Sequence, residues 1–206
     1  YDRDQPREGK SEQSMLFALV RIDRSVAPGS DQANRDATGS GQGVPVGDRV
    51  LQQFAQVLTS LVRTGDYVVR WDESEILLIF RPMHNRNIGS IGERINRTIR
   101  AHAFDGGTGA PLQLVCSLGV ADYPLFRDAQ RRPGWEQLVG LAHAAMQWVA
   151  RHGRDGWAAF RPTLRTDLAS ILRELRDDPQ PLLDTGRLQL IGSHLPAHGD
   201  APPSRG

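Results

Sequence analysis

Two groups of charged residues stand close together at spacings that suit ligand chemistry: Arg63-Thr64-Gly65-Asp66 and, a few residues on, Asp72-Glu73-Ser74-Glu75. An arginine and an aspartate three residues apart can converge on one ligand. The guanidinium fork matches guanine O6 and N7 or a phosphate, and the carboxylate matches the guanine N1 and N2 donors. The plainer alternative is a surface ion pair worth roughly a few tenths of a kcal/mol. Chance alone supplies roughly two R-x-x-D matches in a chain this rich in arginine, so position matters more than the bare pattern. Arg70, between Val69 and Trp71, is a further cation that could reach the same face. The acidic group reads either as a solvated loop tip or, with Asp23, as a weak cation site, since carboxylate oxygens suit hard cations.

The elements that position these groups follow from apolar periodicity. Tyr67 to Val69 and Ile76 to Phe80 flank the acidic residues as a β-hairpin, and hairpin tips are surface places that often carry function. Met15 to Val20 reads as a buried strand. From Asp48, placed as a cap, residues Val50, Leu51, Phe54, Val57, Leu58 and Leu61 repeat at helical spacing until about Gly65. A helix is predicted from about Asn87 to Ala103, closed by Gly106 and Gly107, then a strand over Leu112 to Ala121, a helix over Trp135 to Arg151 and an edge strand over Trp157 to Phe160. The order βαββαβ, then αβ, is the ferredoxin-like arrangement, a sheet with helices on one face, extended by one further αβ unit. The fold expected is α/β (α+β), with a central, mostly antiparallel sheet flanked by helices. Residues 1–14 read as a polar linker, 15–160 as the domain, and 161–206 as an extension. That extension is predicted to hold a helix over Leu164 to Arg176 and a short strand over Arg187 to Ile191, then a disordered Pro- and Gly-rich tail.

Composition narrows the function classes. With 206 residues, 39% of them hydrophobic, the chain suits one domain plus extensions. No apolar run approaches the roughly 20 residues of a membrane helix, and no membrane contact is expected. Net charge is +1, which gives no footprint for polymeric nucleic acid. Lys10 is the only lysine, so 24 basic residues are arginine, a bias that reflects either GC-rich coding or a surface built for phosphates and guanine edges. Cys116 alone excludes an internal disulfide, and flanked by Val115 and Leu118 it reads as inert core in a cytoplasmic protein. Gly39, Gly41 and Gly43 lack the Gly-Lys-Ser/Thr of a phosphate loop. His102, His143 and His152 read as surface residues, and Trp135, Trp148 and Trp157 as core or interface. Tyr1 reads as a point inside a longer protein whose other domains are expected partners.

Taken in order, Phe17 to Asp23, Gly47-Asp48-Arg49-Val50-Leu51, the hairpin, Cys116-Ser117-Leu118-Gly119-Val120-Ala121 and Gly153-Arg154 resemble the GGDEF domain of diguanylate cyclases. That family joins two GTP molecules into cyclic di-GMP, and the likeness spans most of Met15 to Phe160. The resemblance implies a signature at Asp72-Glu73-Ser74-Glu75-Ile76, of which only the fourth letter survives. Asp72 and Glu73 replace glycines that let phosphates approach the backbone. A like-charge contact at about 4 Å costs roughly 4 kcal/mol at an effective dielectric near 20. Ser74 replaces one acidic metal ligand, and Arg21 replaces another in a D-x-D motif matching Arg21-Ile22-Asp23. The family's Lys and Asn after that motif find no match, and Ala150 stands for a phosphate-binding lysine, while Arg154 is kept.

The resemblance also places Arg63 and Asp66 at the family's inhibitory site, with Arg94 of Glu93-Arg94 as the second arginine from the next helix. It therefore implies a domain that is not an enzyme, needs no cofactor or Mg²⁺, and binds cyclic di-GMP as a signalling receptor through Arg63, Asp66, Arg94 and Arg70. A ligand-promoted homodimer is expected, since the ligand carries more hydrogen-bonding groups than one such site can use. The alternatives are a weak cyclase using Asp23 and Glu75 and a ligand-free interaction module.

Overall fold

The computed structural model describes residues 14–26, 47–83, 87–107, 109–123, 133–163 and 168–193. The polar start, the glycines 39, 41 and 43, and the tail after 193 lie outside them. The elements run β1 (Ser14–Val26), α1 (Asp48–Thr59), β2 (Tyr67–Arg70), β3 (Glu75–Met83), α2 (Ile88–Ala101), β4 (Phe104–Asp105), β5 (Pro111–Tyr123), α3 (Trp135–Arg151), β6 (Gly156–Pro162), α4 (Leu168–Asp177), α5 (Gln180–Asp184) and β7 (Leu188–Gly192). The main sheet has the order β2-β3-β1-β5-β6-β7, and the short β4 pairs with β5. No helix among the described residues is long and apolar enough to cross a membrane.

β1 is apolar without alternation because both its faces are covered. Leu16, Ala18, Val20 and Ile22 point to α1 and α2, where Phe54, Ile95 and Ile99 are buried with Phe80 of β3, while Phe17 and Leu19 point to a second core containing Leu141, Ala145 and Met146 of α3. Each fully buried Phe or Leu contributes roughly 1.5–3 kcal/mol. The antiparallel pairs β1–β3 and β1–β5 confirm the expected sheet.

Helices cover both faces rather than one, and the reason is local. β5 and β6 pair in parallel, so the chain must cross over between them, and it does so through α3, on the side opposite α1 and α2. α3 carries its own apolar stripe for that purpose: Leu138, Leu141, Ala142, Ala145 and Val149 are all buried.

Other details differ from the sequence reading. β6 is not an edge, because β7 pairs along it from Pro162 to Ala158. Asp48 is the first residue of α1 rather than its cap, which is Gly47. There the carboxylate complements the positive end of the helix dipole. α2 begins one residue after Asn87, whose side chain accepts the Gly89 N–H. Trp148 and Trp157 belong to the core, whereas Trp135 is 56% exposed. His102 is half-buried edge-on against Phe104, and His152 stacks on Trp148 at 4.2 Å.

Candidate functional site

Both charged groups lie by the β2–β3 edge of the sheet, at opposite ends of the hairpin. The tip runs from Trp71 to Ser74. Glu75 is not part of it: it opens β3 and is buried. A cavity of about 580 Å³ lies between α1 and the hairpin, lined by Asp48, Phe54, Val68, Arg70, Asp72, Glu73 and Glu75 among others. Arg70 opens into it and donates to the carbonyls of Asp72 and Glu73, at 3.4 and 3.2 Å. The structure therefore commits Arg70 to the acidic tip and away from Arg63. Strand alternation explains this, since Arg70 shares the α1-facing side of β2 with Val68.

At the neighbouring end of β1, Arg21 stands in register between Glu75 on β3 and Ser117 on β5. Its guanidinium lies 3.0 Å from the Asp23 carboxylate, whose side chain is only 5% exposed. The other Asp23 oxygen accepts a 2.5 Å hydrogen bond from Ser117 Oγ. Both oxygens are thus engaged by this chain's own donors. Ser117 carries no mark in the sequence, because nothing in a continuously buried stretch of strand shows that its hydroxyl meets a carboxylate ninety-four residues away.

Cys116, beside Ser117, is buried, and burial pushes its thiol well above the usual range, helped by the negative charges of Asp23 and Asp155. Native protein is expected to resist a thiol reagent at mildly alkaline pH and to react only on unfolding. A fast native reaction in a timed alkylation assay would contradict this. Arg154 sits in a turn where it and Asp155 both adopt positive φ, at 56° and 50°, the kind of strain that folds keep where a side chain must be aimed.

The second group surrounds the turn after α1. Gly65, at φ 93°, makes the bend, which residues with a Cβ adopt at a cost. Asp66 is fully buried at its side chain. Its oxygens accept the main-chain N–H groups of Arg63 at 3.2 Å and Arg81 at 2.8 Å, and Arg63 Nε lies 3.6 Å away. Asp66 therefore builds the turn and ties it to β3 instead of lining a ligand face, contrary to the expectation that it meets guanine donors. The exposed groups are arginines. Arg63 donates to the Arg81 carbonyl, Arg94 donates to the Leu61 carbonyl at 3.1 Å, and the Arg81 guanidinium lies against Gly65. Arg81 escaped the sequence reading, because only the hairpin register, Tyr67 opposite Ile79, brings the end of β3 beside the turn.

The sequence pattern of the family described as "Diguanylate cyclase, GGDEF domain" matches residues 40–156, more than half of the chain. The chain belongs to this GGDEF family. Curated relatives include the oxygen sensor protein DosP of Escherichia coli, 25% identical over 77% of this chain and 21% of its own length. Another is the E. coli diguanylate cyclase DosC, 25% identical over 57% of this chain and 24% of its own. The chain thus spans about a fifth to a quarter of the length of these relatives. Among solved structures, the isolated GGDEF domain of Pseudomonas aeruginosa TpbB (YfiN) aligns at TM-score 0.51 and 21% identity, covering 69% of this chain and 74% of that one. The Caulobacter crescentus DgcB domain in complex with c-di-GMP aligns at 0.50 and 18%, covering 69% and 73%. At these identities the likeness is one of fold.

Cyclases of this family imply divalent metal, and Asp23 and Ser74, the described residues at the positions that the resemblance assigns to its ligands, do not fit one. A Mg²⁺ ion asks for several near-ideal oxygen ligands. Here Ser74 supplies no charge at the hairpin, and Asp23 is held by a guanidinium on one oxygen and a hydroxyl on the other. A cation would have to displace Arg21 from a nearly buried carboxylate.

Proposed function

We propose that this GGDEF domain is a catalytically silent receptor for cyclic di-GMP, binding it at the Gly65 turn and signalling to other domains of a longer protein. The reading rests on one contrast. Where the family's chemistry needs carboxylates, Arg21 neutralises Asp23; where a dianionic ligand would need cations, Arg63, Arg81 and Arg94 gather around one bend. Guanidinium groups suit both the phosphates and the guanine edges of such a ligand. The Asp72-Glu73 tip opposes a triphosphate in the cavity beside it.

Calorimetric titration with cyclic di-GMP, beside incubation with GTP and Mg²⁺ or Mn²⁺, tests both halves. Saturable heat with the dinucleotide and no product from GTP are expected. Ser74→Glu is expected to stay inactive, because one restored ligand cannot hold two metals while Arg21 keeps Asp23. Turnover that Glu75→Gln abolishes would overturn the silent half in favour of a weak cyclase. No binding heat would leave an interaction module.

A further inference from the structure

We propose that β2 is a docking edge for a second copy of this chain, pairing antiparallel with its own equivalent across a two-fold axis at Val69. Among the described residues, β2 is the terminal strand of the sheet and pairs with β3 alone. The Trp71 N–H donates to the Glu75 carbonyl, so by alternation Tyr67, Val69 and Trp71 turn their main-chain groups towards β3 while Val68 and Arg70 turn theirs outward. An edge of this kind is a template for another strand. Its side chains are unusual for such a place. Tyr67, Val69 and Trp71, on the face away from α1, are 56%, 39% and 42% exposed. The half-buried Ile79 lies beside Tyr67 in the register.

The register follows from the donors. A two-fold axis at Val69 sets Val68 opposite the partner's Arg70 and Arg70 opposite the partner's Val68, using both outward-facing residues of the strand. The same register sets Tyr67 opposite the partner's Trp71, an aromatic pair on the exposed face at either side of a central Val69 pair, the kind of cross-strand contact that stabilises sheets. Charge agrees with this arrangement. Continued along the strand, it brings the tip residue Glu73 opposite the partner's Gly65, against which the partner's Arg81 guanidinium rests. Each copy thus offers an acidic tip, Asp72 and Glu73, to the Arg63 and Arg81 end of the other, and a two-fold contact makes the exchange twice. The ligand-bridged pair expected from the sequence would bring arginines of both copies together. This one opposes arginines to carboxylates and needs no ligand.

The test is sedimentation equilibrium on the chain without nucleotide, from low concentration to about 1 mM, at low and high salt. A reversible dimer that weakens with added salt is expected. Val69→Lys, which sets two ammonium groups at the axis, is expected to lower association at least tenfold with an unchanged circular dichroism spectrum, and Val69→Thr to leave it within about threefold. A central pair of this type has Cα atoms about 4.5 Å apart, within disulfide reach. Val69→Cys is accordingly expected to cross-link under mild oxidation and Val68→Cys not to. A monomer throughout, a dimer unaffected by Val69→Lys, or cross-linking at Val68 in preference to Val69 would overturn the proposal.

Discussion

Gly119→Ala is expected to destabilise the fold by about 3–5 kcal/mol, a large share of the 5–15 kcal/mol typical of a domain. Gly119 lies at the centre of β5, paired with Leu19 of β1 and Ala158 of β6. A Cβ built on it would stand 1.8 Å from the Ala142 carbonyl oxygen and 2.5 Å from the Met146 nitrogen of α3. Those neighbours are main chain, so no rotamer change relieves the overlap, and α3 must move off the sheet that it covers. Urea denaturation should show a midpoint far below the parent's, or no folded baseline at all. Gly47→Ala is the steric control, since nothing lies within 4 Å of its added Cβ, and it should cost only the poorer helix cap, about 1 kcal/mol or less. A midpoint for Gly119→Ala close to the parent's would mean that α3 sits further from β5 than described.

Arg63→Ala is expected to weaken cyclic di-GMP binding at least tenfold, and Arg63→Ala with Arg81→Ala about a hundredfold if the two act independently. A hydrogen bond to a charged group is worth about 1.5–3 kcal/mol, and tenfold corresponds to about 1.4. The Arg63 side chain is 43% exposed, so solvent screening places each effect at the low end. Arg94→Ala should act in the same direction and less, because its guanidinium is partly engaged by the Leu61 carbonyl. Asp66→Ala separates architecture from recognition. It leaves two main-chain N–H groups without their carboxylate, so it should lower stability by about 1–3 kcal/mol as well as affinity, whereas Arg63→Ala should leave the unfolding midpoint nearly unchanged. Calorimetry paired with denaturation reads both. Equal affinity in Arg63→Ala and parent would place the ligand elsewhere.

Elements that carry long apolar patterns are legible in the amino-acid order alone. β1 is legible because a strand buried on both faces is a continuous apolar run, and α2 because Ile88, Ile91, Ile95 and Ile99 leave a single buried stripe. The same order also put Arg21 and Ser74 at the positions where the family resemblance calls for carboxylates, which is the ground of the proposed catalytic silence. Three matters were left to tertiary structure. The parallel pairing of β5 with β6 put α3 on the far face, and a local period does not say on which side of a sheet a crossover helix lies. Register brought Arg81 to Gly65 and Ser117 to Asp23, contacts between residues far apart in the chain that no spacing rule connects. Packing withdrew Asp66 from solvent and turned Arg70 towards the tip, because a side chain's partner depends on which face of its strand it occupies and what already covers that face.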